Sequence, residues 1–351
     1  MRGWVPALAC TALAVLNRGD GALVAVALGV AYLATRAWRR VPAPGAGGPP
    51  WWRRPEVRAL AAYAVIAAPW YLFSWAYFGS PAPATLAAKM LQRGVAGTVV
   101  FWPGLGFWWN AYTAGNPLYW VLLPLAAVGL LAALIRLPRS TPLLLWAGLY
   151  VLGYSLLQVP RYQNYYTPLA PVLLFLALLG ARELAEAAAG IVRREAQPLA
   201  RWALAGGLAV FAVLIGAPLV ASWNAEGVVY NRLPQARVEV YEQVAGWLRA
   251  GTPATATVGL LEVGTVGYYA DRHVIDFYGL IQPDVAQHLG VNDQRWGVIH
   301  YQPDYIVALP WWLAAWRGDP WFQATYTPVY TLPVYPRFSP DPVIIFRRKV
   351  L

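Results

Sequence analysis

The sequence predicts an α-helical polytopic membrane protein of about seven spans, followed by a small extracytoplasmic α/β domain. Three observations predict it. Hydrophobic residues make up 59% of the 351 and charged residues only 12%, where soluble domains carry roughly a quarter charged. The apolar residues come in long blocks rather than in amphipathic stripes. From residue 223 onward the pattern changes, and short β-rich runs alternate with helical or turn-rich stretches.

The apolar blocks lie at about residues 4–16, 21–35, 59–78, 116–135, 141–157, 168–181 and 202–222. The charge between them alternates. Thirteen arginines fall on one side: Arg2, Arg36, Arg39, Arg40, Arg53, Arg54, Arg58, Arg136, Arg139, Arg182, Arg193, Arg194 and Arg201. The other side, before residue 223, holds Arg18, Lys89, Arg93 and Arg161. Positive-inside bias puts the thirteen in the cytoplasm, with the N-terminus inside and the tail outside a plasma membrane. The net charge of +11 therefore reflects topology, and nucleic acid is not an expected partner. A signal peptide ending at "ALAC" is the competing account of residues 1–16. Only seven residues separate Arg2 from Cys10, too few for an apolar region and a cleavage motif.

Two domains follow, at 1–222 and 223–351, with "VPAPGAGGPP" (41–50) as a cytoplasmic linker. In the tail, "ATVGLL", "HVIDFYG", "DYIVAL" and "PVIIFRR" read as strands of a mainly parallel sheet. Cys10 is the single cysteine, and His273, His288 and His300 lack metal-ligand spacing, so zinc chemistry is not expected. No cofactor is firmly implied, and divalent-metal dependence is left open. "GTVG" (264–267) is too short for a nucleotide loop and reads as a turn. Glu262, Asp271, Arg272 and Asp276 flank strands, where surface ion pairs compete with acceptor contacts as their role.

Arg18 and Asp20 stand between two apolar blocks. Arg18 lies 18 residues before Arg36, so a helix between them rises about 27 Å, against a hydrocarbon core of about 30 Å. With Arg36 at the inner boundary, both charges sit at or just below the outer one, where polar groups need protein or water around them. The start of the second helix presents free N–H groups and a positive dipole end. Arg18 beside it suits a lipid phosphate, while a self-satisfied Arg18–Asp20 pair closing a hairpin is the competing reading. Lys89, on the helical stretch "FGSPAPATLAAKMLQRG" (78–94), and Arg161, in "VPRYQNYYTPLAP" (159–171), are further outward cations. An interfacial helix and an anchoring belt are the plainer accounts of these stretches. Tyr162, Tyr165 and Tyr166 beside Arg161 are candidate donor or acceptor contacts. The loop "FWPGLGFWWNAYTAGNPLYW" (101–120) is crowded with aromatics, including Trp102, Trp108, Trp109 and Trp120, fitting either an aromatic belt or stacking on sugar or lipid.

"LNRGDGALVAVALG", "FGSPAPATLAAKML" and "RYQNYYTPLAP" together resemble segments of GT-C superfamily membrane glycosyltransferases. The group is the family-39-like one related to protein O-mannosyltransferases and lipid A aminoarabinose transferases. The tail stretch "VGLLEVGTVGYYADRHVIDFYGLIQPD" (258–284) looks like the extracytoplasmic domain that follows the spans in many of them. The resemblance implies transfer of a sugar from a polyprenyl-phosphate carrier to an acceptor glycan, lipid or protein on the outer face of the cell envelope. It implies Arg18, Lys89 and Arg161 as lipid-phosphate ligands. Gly19 and Ala84 depart from the proline and asparagine of the first two segments. The superfamily's usual base is an acid in the first external loop, needed to take the acceptor's proton. Of the acids before residue 223 (Asp20, Glu56, Glu183, Glu186 and Glu195), only Asp20 faces outward, so it is the catalytic candidate. The missing loop and upstream spans fit the C-terminal part of a longer enzyme. A non-catalytic membrane protein retaining a lipid-phosphate or glycan site is the alternative. A lipid-linked-sugar transporter fits less well, because the spans carry few polar residues.

Overall fold

The computed structural model describes residues 4–38, 50–81, 84–136, 140–191, 237–313, 316, 318–332 and 342–349, with scattered positions between 202 and 217. The chain divides into two compact units. One comprises Met1–Pro83 and Val99–Ile215, the other Ala84–Thr98 and Gly216–Leu351.

The first unit is helical: α1 (Trp4–Asn17), α2 (Ala22–Trp38) and α3 (Pro55–Phe78), then, after α4 (Ala84–Leu91) of the second unit, α5 (Phe101–Gly115), α6 (Leu122–Arg136), α7 (Thr141–Leu156) and α8 (Ala170–Ile191). Among the described residues, three helical stretches are long and apolar enough to cross a membrane: 55–78, 117–136 and 163–190, of 24, 20 and 28 residues. The expected count of about seven is not supported among the described residues. α1, α2 and α7 have 14, 17 and 16 residues and rise only about 21–26 Å, short of the roughly 30 Å core. The polar turn at 18–21 is what stops α1 and delays α2. The seventh expected segment, 202–222, lies largely outside the described residues.

Residues 101–115, expected as loop, are helical. Pro103 falls in the first turn, where a missing N–H breaks no intrahelical bond. α3 opens with Pro55 in its first turn and closes on Gly79, whose φ of 72° lets its N–H reach the Trp75 carbonyl. α1 packs on α3, α2 on α7 and α6 on α8. The last pair meets backbone to backbone: a Cβ on Gly129 would lie 1.8 Å from Leu176 O, and one on Gly180 1.9 Å from Leu125 O. Buried Ala126, Ala133 and Ala177 continue this small-residue seam, the way helices gain close contact where lipid supplies no hydrophobic drive. Ion pairs tie the basic helix ends, Arg36 to Glu56 at the α2–α3 junction and Arg136 to Glu183 between α6 and α8.

Among the described residues the second unit is built on five strands: β1 (Thr257–Leu260), β2 (His273–Asp276), β3 (Tyr305–Ala308), β4 (Tyr326–Thr331) and β5 (Ile344–Arg348), in the order β2-β1-β3-β5-β4. β2, β1 and β3 are parallel, whereas β5 runs antiparallel to both β3 and β4. The mainly parallel expectation therefore holds for one half of the sheet. All four expected strands form, and β4 is an addition. Its Pro328 and the register shift beside it suit an edge. The helices are α9 (237–251), α10 (Val263–Tyr269), α11 (Pro283–Gly290), α12 (Trp296–Tyr301), α13 (Pro310–Leu313) and α14 (Pro320–Thr325). α14 starts where Asp319 Oδ1 accepts the Phe322 N–H at 2.9 Å and Pro320 follows. Val244 and Leu248 of α9 meet Val258, Ile306 and Ile345 of the sheet in a core that excludes solvent.

α4 and the turn after it belong to this unit. Gln92 is 1% exposed and donates from Nε2 to the Tyr278 carbonyl at 3.1 Å. Asn292 Oδ1 accepts the Ala96 N–H at 2.9 Å. A Cβ on Gly94 would fall 2.1 Å from Gly290 O. The stretch that the sequence reads as an interfacial helix is thus docked on α11 of the tail.

Candidate functional site

The turn joining α1 to α2 is set by Gly21. Gly21 packs against α1 so closely that a Cβ would lie 2.5 Å from Ala14 C, and its N–H closes on the Arg18 carbonyl at 2.8 Å. This fixes Arg18 and Asp20 two residues apart on one turn. Arg18 grips the Asp20 carboxylate in a fork, Nε to Oδ1 at 3.2 Å and Nη2 to Oδ2 at 2.8 Å. Tyr154, in the last turn of α7, donates its hydroxyl to Oδ2 at 2.8 Å. Arg18 Cζ also lies 6.0 Å from the centre of the Tyr165 ring. The Arg18 side chain remains 41% exposed while Asp20 is 17% exposed. Among the described residues nothing holds Arg18 Nη1, whose two N–H groups are left for an anion.

Arg161 is placed by a separate device. Its N–H donates to the Val99 carbonyl at 2.8 Å, beside the antiparallel bridge between Val100 and Pro160. Its guanidinium lies 4.3 Å from the centre of the Phe107 ring of α5, and among the described residues no carboxylate pairs with it. Tyr165 and Tyr166 are buried. Tyr166 donates to the Phe101 carbonyl at 2.9 Å and stacks on the Phe101 ring, while the Tyr165 carbonyl accepts from Tyr150 at 3.0 Å. Arg18 thus lies against Tyr165, whereas Arg161 lies against Phe107. Tyr162 is half-buried and meets Tyr165 edge to face. Lys89, half-buried on α4, belongs to the second unit.

The structure therefore gathers Arg18, Asp20 and Tyr165 into one cluster and adds Tyr154, which sequence reasoning missed. A tyrosine in the last turn of an apolar helix is the only trace it leaves, and such residues are common as interfacial anchors. Among the described residues no group of three His, Cys, Asp or Glu side chains could hold a metal ion. The arrangement supplies a fixed, solvent-exposed cation at the end of apolar helices, with a carboxylate whose two oxygens already accept three hydrogen bonds.

In the tail, Asp276 is fully buried at the end of β2. Its oxygens accept the N–H groups of Tyr278 at 2.7 Å and Ile281 at 2.9 Å, folding the chain around Gly279, whose φ is 71°. Burial holds this carboxyl above the usual carboxylate range, opposed by the backbone donors. Asp276 is thus a loop-shaping group rather than one facing an acceptor. Glu262 and Arg272 are likewise engaged, Glu262 with Arg237 and Arg272 with the carbonyls of Arg249 and Thr252.

Residues 230–346 match the family model of a domain of unknown function, DUF8728. No curated protein and no solved structure matches the chain. The family match covers the sheet-bearing tail and leaves the apolar helices and the Arg18 cluster outside it.

Proposed function

We propose that the protein is an integral-membrane glycosyltransferase that holds a polyprenyl-phosphate-linked sugar at the Arg18 turn and passes the sugar to an acceptor on the outer face. The observation that carries this reading is the half-exposed guanidinium of Arg18, locked in orientation by Asp20 and Tyr154 at the end of apolar helices, with Nη1 left to donate. A carrier's polyprenyl chain matches the apolar helices and its phosphate matches the guanidinium. In the reaction the acceptor hydroxyl attacks the anomeric carbon, and the bond from that carbon to the phosphate oxygen breaks. The carrier phosphate leaves with the electron pair, and Arg18 stabilises its added charge. The hydroxyl proton goes to a carboxylate, and Asp20 is the candidate on this turn.

A second reading is favoured by one detail of the same cluster. Both Asp20 oxygens are engaged by Arg18 and Tyr154, as in a carboxylate whose task is to orient the arginine. The protein would then bind the carrier and leave chemistry elsewhere. Arg18→Gln in membranes, assayed with a radiolabelled polyprenyl-phosphate sugar for both photo-crosslinking and transfer, separates the cases. Loss of both signals on Arg18→Gln supports the transferase. Crosslinking without transfer in the wild type supports the binding protein. Wild-type crosslinking that Arg18→Gln leaves unchanged removes the phosphate site from this turn.

A further inference from the structure

The second unit carries a cleft that none of this uses. It encloses about 680 Å³ and is lined by Thr255, Gln302, Asp304, Thr325, Arg347 and Lys349 among others, with Arg348 on the same wall. It opens where the chain enters β1 and β3 and where β5 ends, so strand ends bring three consecutive basic residues to one cavity. Two of the three keep their charge available. Arg348 Nη2 is spent on Asp304 Oδ1 at 2.9 Å, and the other oxygen of Asp304 accepts the N–H and hydroxyl of Thr257 at 2.9 and 3.0 Å. That carboxylate is thereby consumed. Lys349 gives one proton to the Gln323 carbonyl at 2.7 Å, and its ammonium has two more. Arg347 is exposed and, among the described residues, has no carboxylate partner. Gln302 on the rim holds a left-handed backbone, φ 42°, uncommon for a side chain of its kind.

We propose that this cleft binds a small hydroxyl-rich oxyanion, a sugar bearing a phosphate or a carboxylate, with Arg347 as the main anion ligand and Lys349 assisting. The volume lies within the range of roughly 300–1,000 Å³ that small-molecule sites occupy. The planar fork of Arg347 matches either oxyanion through two parallel hydrogen bonds. Thr255 and Gln302 offer neutral donors and acceptors, and Thr325, whose hydroxyl donates to the Trp321 carbonyl at 2.7 Å, offers an acceptor, a set that suits hydroxyls. A flat lipid surface is the weaker match, since it recruits clusters of about four to eight projecting cations rather than three set in a concavity. The residues of the site all belong to the second unit, and the proposal does not depend on the transferase reading.

The test is calorimetric titration of the full chain in uncharged detergent with glucose 1-phosphate, glucuronate and glucose. Saturable binding of either anion, at least about tenfold tighter than glucose and weakened about tenfold by Arg347→Gln, is the expected result. Arg347→Lys should recover part of that loss, because it restores charge without the fork. The stronger of the two anions tells phosphate from carboxylate. Repeating the titrations in an Arg18→Gln background removes the carrier site's contribution, so binding that persists there and is weakened by Arg347→Gln belongs to the cleft. Equal binding of glucose, no saturation by either anion, indifference to Arg347→Gln, or binding only to phosphatidylglycerol vesicles would each overturn the proposal.

Discussion

Asp304 shows how one carboxylate can tie three parts of the tail together. It holds the start of β1 through Thr257 and the end of β5 through Arg348. Burial alone would raise its pKa, yet the Thr257 donors and the Arg348 charge outweigh burial and hold it below the ordinary value. A carboxyl depressed in the folded state contributes stability that is complete above its unfolded pKa of about 3.9. That contribution is lost as pH falls through the depressed folded value. Amide-exchange protection of residues 257–260 and 344–348, corrected for intrinsic rates, should therefore fall on acidification below about pH 4. In Asp304→Asn the protection should start lower at neutral pH and depend less on acid. Equal acid dependence in both proteins would show that other groups govern these strands. At this scale the sequence was readable for type but not for partner. It singled out Arg18 and Asp20 because charges are rare among apolar blocks. It could not point to Tyr154, because the contact spans 134 positions of chain and needs α7 to end beside the first turn. Tyr165 and Tyr166 stand beside Arg161 in the sequence as candidate ligand contacts, and in the fold both are buried against neighbouring aromatics, a packing that polarity alone does not reveal.

Elements were more legible where one physical rule dominates. The long apolar helices and four of the strands follow from block length and β-branched runs. The fifth strand, "YTPVYT", was missed because its proline demotes a strand, and that rule fails at an edge, where β4 lies. The aromatic stretch 101–115, expected as loop, is helical, and Pro103 is tolerated because it falls in the first turn. Helix pairing is the least visible layer, since it rests on glycines that look unremarkable in an apolar run. Gly180 and Gly148 are both helical glycines, yet they should behave oppositely. A Cβ at 180 meets the Leu125 carbonyl oxygen at 1.9 Å, backbone that cannot swing aside, while nothing lies within 4 Å of one at 148. Gly180→Ala must push α8 off α6 and should cost about 1–3 kcal/mol. Gly148→Ala should be neutral or slightly stabilising through helix propensity. Reversible unfolding of the purified chain in mixed micelles measures both, and equal stability of the two variants would refute the close α6–α8 seam.

For the whole molecule, the docking of 84–98 on the tail has a consequence for sidedness. Gln92, Gly94 and Ala96 are joined to Tyr278, Gly290 and Asn292 by hydrogen bonds and backbone contact. Parts of one folded unit share one side of a membrane, so α4 and α11 must do so. In the helical unit, Arg36, Arg136 and Glu183 mark helix ends at which ion pairs join neighbouring helices. On the positive-inside expectation from the sequence, those ends would be cytoplasmic and α4 external. Cys10 is the chain's single cysteine, which permits single-cysteine variants in a Cys10→Ser background. Thr85→Cys and Gln287→Cys, both at exposed positions, should react with a membrane-impermeant maleimide in intact cells. Glu186→Cys, near the end of α8 and half exposed, should react only after permeabilisation. Opposite labelling of positions 85 and 287 would break the α4–α11 unit. Labelling of 186 together with 287 from outside would instead leave the unit intact and remove the crossing that the sequence predicts at 202–222. The outward-facing carrier reading would fall with it, because Arg18 would lose the charge asymmetry that places its turn outside.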